Sequence, residues 1–268
     1  MAITPSLAVE RALLDAYLQE FHLSTFRQNC QGYADEAAQA GQSYGRYLLA
    51  LCEQESQARA NHRQARRIKE AHFPHLKELR EFDFNLGPSL NARRILELSL
   101  DSSYITQAQP IILVGNPGLG KTHLAISLAL EACRHQHRVR FYHVATLVND
   151  LAAAQSAGRL PKFMTAMLRH QLIVLNELGF IPFSPSGAQL IFQFCSALYE
   201  RVAVIITTNL KFADWTQVFG DERLTLALLD RLTHRAHIFE FMGDSYRFRQ
   251  RLQAQTEVTD GLTLASQE

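Results

Sequence analysis

Residues 115–122 read Gly-Asn-Pro-Gly-Leu-Gly-Lys-Thr, and four apolar residues, Ile111–Val114, stand directly before them. This stretch narrows the possible folds more than any other, because it satisfies G-x-x-x-x-G-K-[ST] between a short strand pattern and a helix pattern. Each fixed position has a physical reason. Glycines let successive backbone N–H groups turn inward and approach an anion with no side chain in the way. A helix starting near Lys121 aims the positive end of its dipole at the same point. The run Gly115, Asn116, Pro117, Gly118, Leu119, Gly120, Lys121, Thr122 and His123 is therefore expected to cradle a nucleotide. In this reading Lys121 reaches the β- and γ-phosphates and the Thr122 hydroxyl ligates Mg²⁺.

The rest of the chain agrees with a strand-and-helix core. Short apolar runs at Ile111–Val114, Val139–Val144, Leu172–Leu175, Val202–Thr207 and Ile238–Phe241 are separated by helical stretches. Runs of this kind predict a parallel sheet covered on both faces. Before residue 80 the pattern is helical throughout: Leu13, Leu14, Tyr17, Leu18 and Phe21 recur at helical spacing, and so do Tyr47, Leu48, Leu51 and Glu55. Pro74 in "HFPH" stops the long second helix, since a proline disfavours the α conformation in the residue before it. The expected organisation is a helical domain over 1–80, a connector over 81–110, the α/β core over 111–251 and a loose polar tail over 252–268.

A nucleotide hydrolase with such a loop needs a carboxylate at the end of a neighbouring strand. "LIVLNELGF", 172–180, supplies Asn176-Glu177 there. Many such proteins carry Asp-Glu, the first holding the metal through its waters and the second orienting the attacking water. Asn176 keeps an accepting oxygen but lacks the charge, so metal binding is expected to be retained in weakened form while Glu177 keeps its role. "VIITTNL", 204–210, brings Asn209 to a strand's carboxyl end, the edge where ligands sit in parallel sheets.

Taken together, "GNPGLGKTHLA", "NELGFIPFS", "TTNLKFADWTQVFGD", "ALLDRLTHRAHIFEFMGDSYR" and "RRIKEAHFPHLKELREFDF" resemble the IstB family. These are helper ATPases of bacterial insertion sequences, in the AAA+ superfamily and close to the helicase loader DnaC. The resemblance runs from about Tyr44 to Arg249. It implies an AAA+ P-loop core with a five-stranded parallel sheet flanked by helices, preceded by a small all-helical domain. It further implies ATP with Mg²⁺, a ring or helical oligomer on duplex DNA, and a transposase as partner. By the same resemblance Asn209 is a polar sensor, Arg231 the finger that enters a neighbouring subunit's site, and Arg247 a second sensor. Two other readings stay open: a DnaC-like loader gripping a replicative helicase, and a nucleotide-stabilised DNA scaffold with little turnover, which Asn176 motivates.

The net charge is only +1, so a nucleic-acid partner has to be met by a local patch. Arg59, Arg63, Arg66 and Arg67 fall on one face of a helix, a row suited either to phosphate contacts or to ion pairs with Glu55 and Glu70. The resemblance favours the first. Arg159 and Lys162, at the bend of "AAAQSAGRLPKFMTAML", are further DNA candidates. Phe82 and Phe84 could cover the adenine or simply pack. The four cysteines show no metal spacing and are expected as buried thiols. No apolar run approaches membrane length and no signal-like start is present, so a bacterial cytoplasmic protein is expected.

Overall fold

The computed structural model describes residues 7–86, 89–180 and 182–243; Arg247 and the expected tail lie outside the described residues. The chain divides into two compact units, residues 1–66 and 67–268. The division falls inside a helix, ahead of residue 80. Residues 67–80 go with the second unit because Ala71 is fully buried there, and Ile68, Phe73 and Leu79 pack on the same apolar cluster.

The first unit is built from α1 (Leu7–Glu20), α2 (Ser24–Gln39) and most of α3 (Tyr44–Ala71). Leu18, Ala37 and Leu51 are its buried apolar side chains. The residue preceding α2, Leu23, has no side-chain acceptor for the orphan N–H groups of the first turn. Glu55 of α3 supplies one instead: its carboxylate accepts from the Thr25 N–H at 3.0 Å and from Arg59 Nε at 2.6 Å. A buried anion at a helix N-terminus is favoured by the dipole. Burial alone would push the Glu55 carboxyl up. The hydrogen bonds from Arg59 and Thr25 outweigh that and hold it below its ordinary value of 4.5. Most of the helical pattern on α1 does not become core: Leu13, Leu14, Tyr17 and Phe21 are exposed, and Leu18 alone of the five is buried.

The second unit opens with two single turns, Leu79–Glu81 and Phe84–Leu86, then α4 (Ala92–Leu100) and α5 (Ser103–Thr106). It continues through β1 (Ile111–Gly115), α6 (Lys121–Arg134), β2 (Val139–His143), α7 (Val144–Ser156), α8 (Leu160–Met167) and β3 (Leu172–Asn176). It ends with α9 (Pro185–Leu198), β4 (Ala203–Thr208), α10 (Thr216–Phe219), α11 (Glu222–Thr233) and β5 (His237–Phe241). All five expected strands form, and they pair in parallel in the order β2-β3-β4-β1-β5. Strands β3 and β4 are buried along their whole length, which is why they read as unbroken apolar runs. One face of the sheet packs under α7–α11 around Ile191, Phe194 and Trp215. The other packs under α4–α6 around Ile95, Leu124 and Leu128.

The expectation of four buried thiols needs correction. Cys133 and Cys195 are buried, and burial pushes both thiols up to about 12, but Cys30 is half-buried and Cys52 exposed. Cys52 follows the buried Leu51, and one residue on a helix turns the side chain about 100° away from the core. No helix of the described residues is long and apolar enough to cross a membrane.

Candidate nucleotide site

The strand order sets the site. β1 lies between β4 and β5, and β3 lies beside β4, so the carboxyl ends of β1, β3 and β4 adjoin one another. Everything polar that the apolar runs deliver at those ends is therefore brought together.

The loop between β1 and α6 is shaped by its glycines. A Cβ on Gly115 would stand 2.4 Å from the Phe241 carbonyl oxygen of β5, so no side chain fits at that position. Gly120 has φ +91 directly before the first helical residue, a conformation costly for any residue with a Cβ. Lys121 opens α6. It is 9% exposed, and Nζ donates to the carbonyls of Gly115 at 2.6 Å and Asn116 at 2.7 Å, which holds the ammonium within the curve of the loop. Leu119 packs on the apolar cluster beneath α6. His123 meets the Glu78 carbonyl at 3.1 Å.

A cavity of about 310 Å³ opens over this loop. Pro117, Gly118, Gly120, Lys121, Thr122 and His123 line it from the loop, and Glu177, Thr208 and Asn209 line it from β3 and β4. That volume lies at the lower end of the usual range for small-molecule sites. Glu177 has φ +64, unusual for a residue with a side chain. In this conformation its N–H donates to Thr207 Oγ1 at 2.8 Å while its carboxylate is turned to solvent, 55% exposed. Asn176 is 1% exposed and sits behind Thr122, whose hydroxyl donates to Asn176 Oδ1 at 2.8 Å. Among the described residues no group of three or more His, Cys, Asp or Glu side chains could hold a metal. The donors are hydroxyl and amide oxygens, which suit a hard cation such as Mg²⁺ held mainly by water and substrate phosphates.

Other expected residues lie elsewhere. Arg231, on α11, is not among the residues lining this cavity: its guanidinium lies 4.9 Å over the Phe192 ring and donates to Ser196 Oγ. Arg247 falls outside the described residues. Phe82 packs on the loop itself, its Cε2 2.9 Å from where a Gly120 Cβ would stand, and its ring meets Phe84 at 4.9 Å and His123 at 5.4 Å. Arg159 and Lys162 are exposed, as expected of a bend between α7 and α8.

The four arginines of α3 do not form one free row. Arg59 is tied to Glu55 and donates to the His22 carbonyl at 3.0 Å. Arg67 is turned inward, its side chain 19% exposed and 3.8 Å from the Glu70 carboxylate. Arg63 and Arg66 are exposed. The helical spacing is as expected, but the ion-pairing expectation holds for Arg59 and Arg67.

Three contributors had a weaker sequence signal. His143 ends β2 as Asn176 ends β3, and could have been noticed by the same rule. Thr207 was visible only as part of "TTN". Lys77, which also lines the cavity, comes from the segment after α3 and carries no local signal at all.

With this geometry in hand, comparison with known families is decisive. The family model described as "IstB-like ATP binding protein" matches residues 16–254. The chain belongs to this family. Among curated proteins the chain is similar to one named as an ATP-binding protein of insertion sequence IS5376 from Geobacillus stearothermophilus, 34% identical over 88% of this chain and 93% of the relative. Another is named as an ATP-binding protein of insertion sequence IS21 from Pseudomonas aeruginosa, 31% identical over 90% of this chain and 91% of the relative. Among solved structures, DnaA from Aquifex aeolicus bound to AMPPCP is 20% identical, with a TM-score of 0.52 over 67% of this chain and 55% of that one. A DNA replication initiation factor matches at the same TM-score of 0.52 and 20% identity, over 67% of this chain and 54% of the other. These likenesses show the fold: this IstB-like chain carries a P-loop core with a five-stranded parallel sheet flanked by helices.

Proposed function

We propose that this IstB-like protein is an ATP-dependent DNA-binding helper of transposition, which assembles on duplex DNA and presents it to a transposase. The observation that carries the reading is the convergence of the Lys121 loop, Glu177, Thr208 and Asn209 on one cavity at adjoining strand ends. Its support beyond the site is family membership and the insertion-sequence names of the relatives.

In this mechanism the loop amides and Lys121 bind the β- and γ-phosphates of ATP, where backbone N–H groups and a buried ammonium act at full strength. Thr122 and Asn176 would hold Mg²⁺, which would offset negative charge on the phosphates. Glu177 orients the attacking water, and Asn209 contacts the γ-phosphate. Arg231 and Arg247 act as finger and second sensor, the finger entering a neighbouring protomer's site once Arg231 leaves Phe192 and Ser196. This makes turnover depend on assembly into a ring or helical oligomer. Arg59, Arg63, Arg66 and Arg67 of α3, with Arg159 and Lys162, are assigned to phosphate contacts that read backbone and shape rather than sequence. Arg63, Arg66, Arg159 and Lys162 are the better placed, being exposed. The protein works in the bacterial cytoplasm.

A second reading is favoured by the buried amide at 176: a nucleotide-stabilised scaffold on DNA with little hydrolysis. Steady-state phosphate release with and without duplex DNA separates the two. The helper ATPase predicts turnover that DNA stimulates and that Glu177→Gln removes. DNA retention with ATP but no turnover in the wild type would leave the scaffold.

A further inference from the structure

The orientation of the Asn176 carboxamide is fixed by its neighbours. The Glu177 N–H donates to Thr207 Oγ1 at 2.8 Å, so the Thr207 hydroxyl proton is turned elsewhere, to Asn176 Oδ1 at 3.0 Å. Thr122 Oγ1 donates to the same oxygen at 2.8 Å. Oδ1 therefore faces the two threonines, and the NH₂ group must face the opposite way.

On that side stands His143. It is the register partner of Asn176 in the β2–β3 pair, and its Nδ1 lies 3.2 Å from Asn176 Nδ2. Since Nδ2 only donates, Nδ1 accepts and the ring proton sits on Nε2. The Glu177 carboxylate is 3.9 Å from the same nitrogen, beyond hydrogen-bond range. Phe141 braces the imidazole edge-on, with ring centres 5.3 Å apart and planes at 81°. Asn176 is only 1% exposed, so without His143 its amide N–H would be left buried with no other hydrogen-bond partner among the described residues.

We propose that His143 is a positioning residue of the nucleotide site: by accepting from Asn176 Nδ2 it holds Oδ1 toward Thr122. Asn176 and His143 are then a matched pair, not a weakened carboxylate beside an unrelated histidine. An aspartate at 176 would reverse this bond, with the ring carrying its proton on Nδ1 and donating to a carboxylate oxygen. The proposal rests on the assignment of Thr122 and Asn176 to Mg²⁺.

The test is calorimetric titration of the full chain with ATP, once with Mg²⁺ and once with EDTA, so no turnover is needed. His143→Asn places an accepting Oδ1 where Nδ1 stands, and His143→Leu keeps a similar shape but removes the acceptor. Supporting residues of metal sites are typically worth about 10–100-fold in metal affinity. We expect His143→Leu to lose about 10-fold of the Mg²⁺-dependent gain in ATP affinity, at the low end of that range. His143→Asn should keep most of the gain, and the loss in His143→Leu should be confined to the Mg²⁺ arm. A wild-type gain retained in His143→Leu, or lost equally in both variants, would overturn the proposal. Wild type that binds no ATP in either arm would instead sink the nucleotide reading and this inference with it, before any variant is compared.

Discussion

The phosphate loop and the arginine row of α3 are both charged features that stand out in the sequence, yet the structure treats them differently. In the loop each residue's conformation is dictated locally: Gly115 has no room for a Cβ, and Gly120 takes a backbone angle that side chains disfavour. The motif therefore fixes the geometry. In α3 the helix fixes only angular positions, and the fate of each guanidinium depends on what packs nearby. Arg59 is held by Glu55, Arg67 is turned inward, and Arg63 stays exposed. Local backbone chemistry can be read from sequence; long-side-chain pairing can be narrowed to alternatives there, and packing chooses between them.

The comparison can be broken most severely at Gly115. Gly115→Ala forces a Cβ toward the Phe241 carbonyl and should cost about 2–5 kcal/mol of stability, combining overpacking with backbone strain. Urea unfolding followed by circular dichroism reads it, and a midpoint equal to wild type would show that the loop is not so constrained. Next, Lys121→Ala removes a charge-assisted contact to phosphate and should weaken ATP binding about 100-fold, or about 2.7 kcal/mol. Fluorescent-nucleotide titration checks this, and unchanged affinity would reject the assignment of Lys121.

Two smaller effects sharpen the α3 side. Glu55→Gln weakens the anion at the α2 N-terminus and should destabilise the protein by about 1 kcal/mol at neutral pH. The folded carboxyl is held below its ordinary 4.5, so its contribution is fully present above that value and fades as pH falls through the folded-state value. The gap in melting temperature between wild type and Glu55→Gln should accordingly close in acid. A gap independent of pH would contradict the Glu55–Thr25–Arg59 account. Finally, Arg63→Gln should flatten the log–log salt dependence of duplex binding by about 0.9, the value of one phosphate contact. The same slope in the variant would remove Arg63 from the DNA surface.

How much was legible follows the same division. The five strands and the polar residues at their ends could be read because buried parallel strands are continuous apolar runs that stop where the ligand edge begins. Asn176, Glu177 and Asn209 belong to that class. The contribution of Lys77 could not be read, because the path from α3 to the cavity is set by packing of Ile68, Ala71 and Phe73. Nor could the exposure of Leu13, Tyr17 and Phe21, since helical periodicity reports a face without saying what covers it. Asn176 looked like a lost charge in isolation. Its meaning emerged only when the register placed His143 beside it.

The central claim is that the loop from Gly115 to Thr122 grips ATP. Isothermal calorimetry of the wild-type chain with ATP and Mg²⁺ tests it most directly. A saturable exothermic or endothermic binding curve, absent from the Lys121→Ala variant, is the predicted result. A folded wild-type protein that shows no binding by this measure, or a Lys121→Ala curve that matches it, would contradict the account.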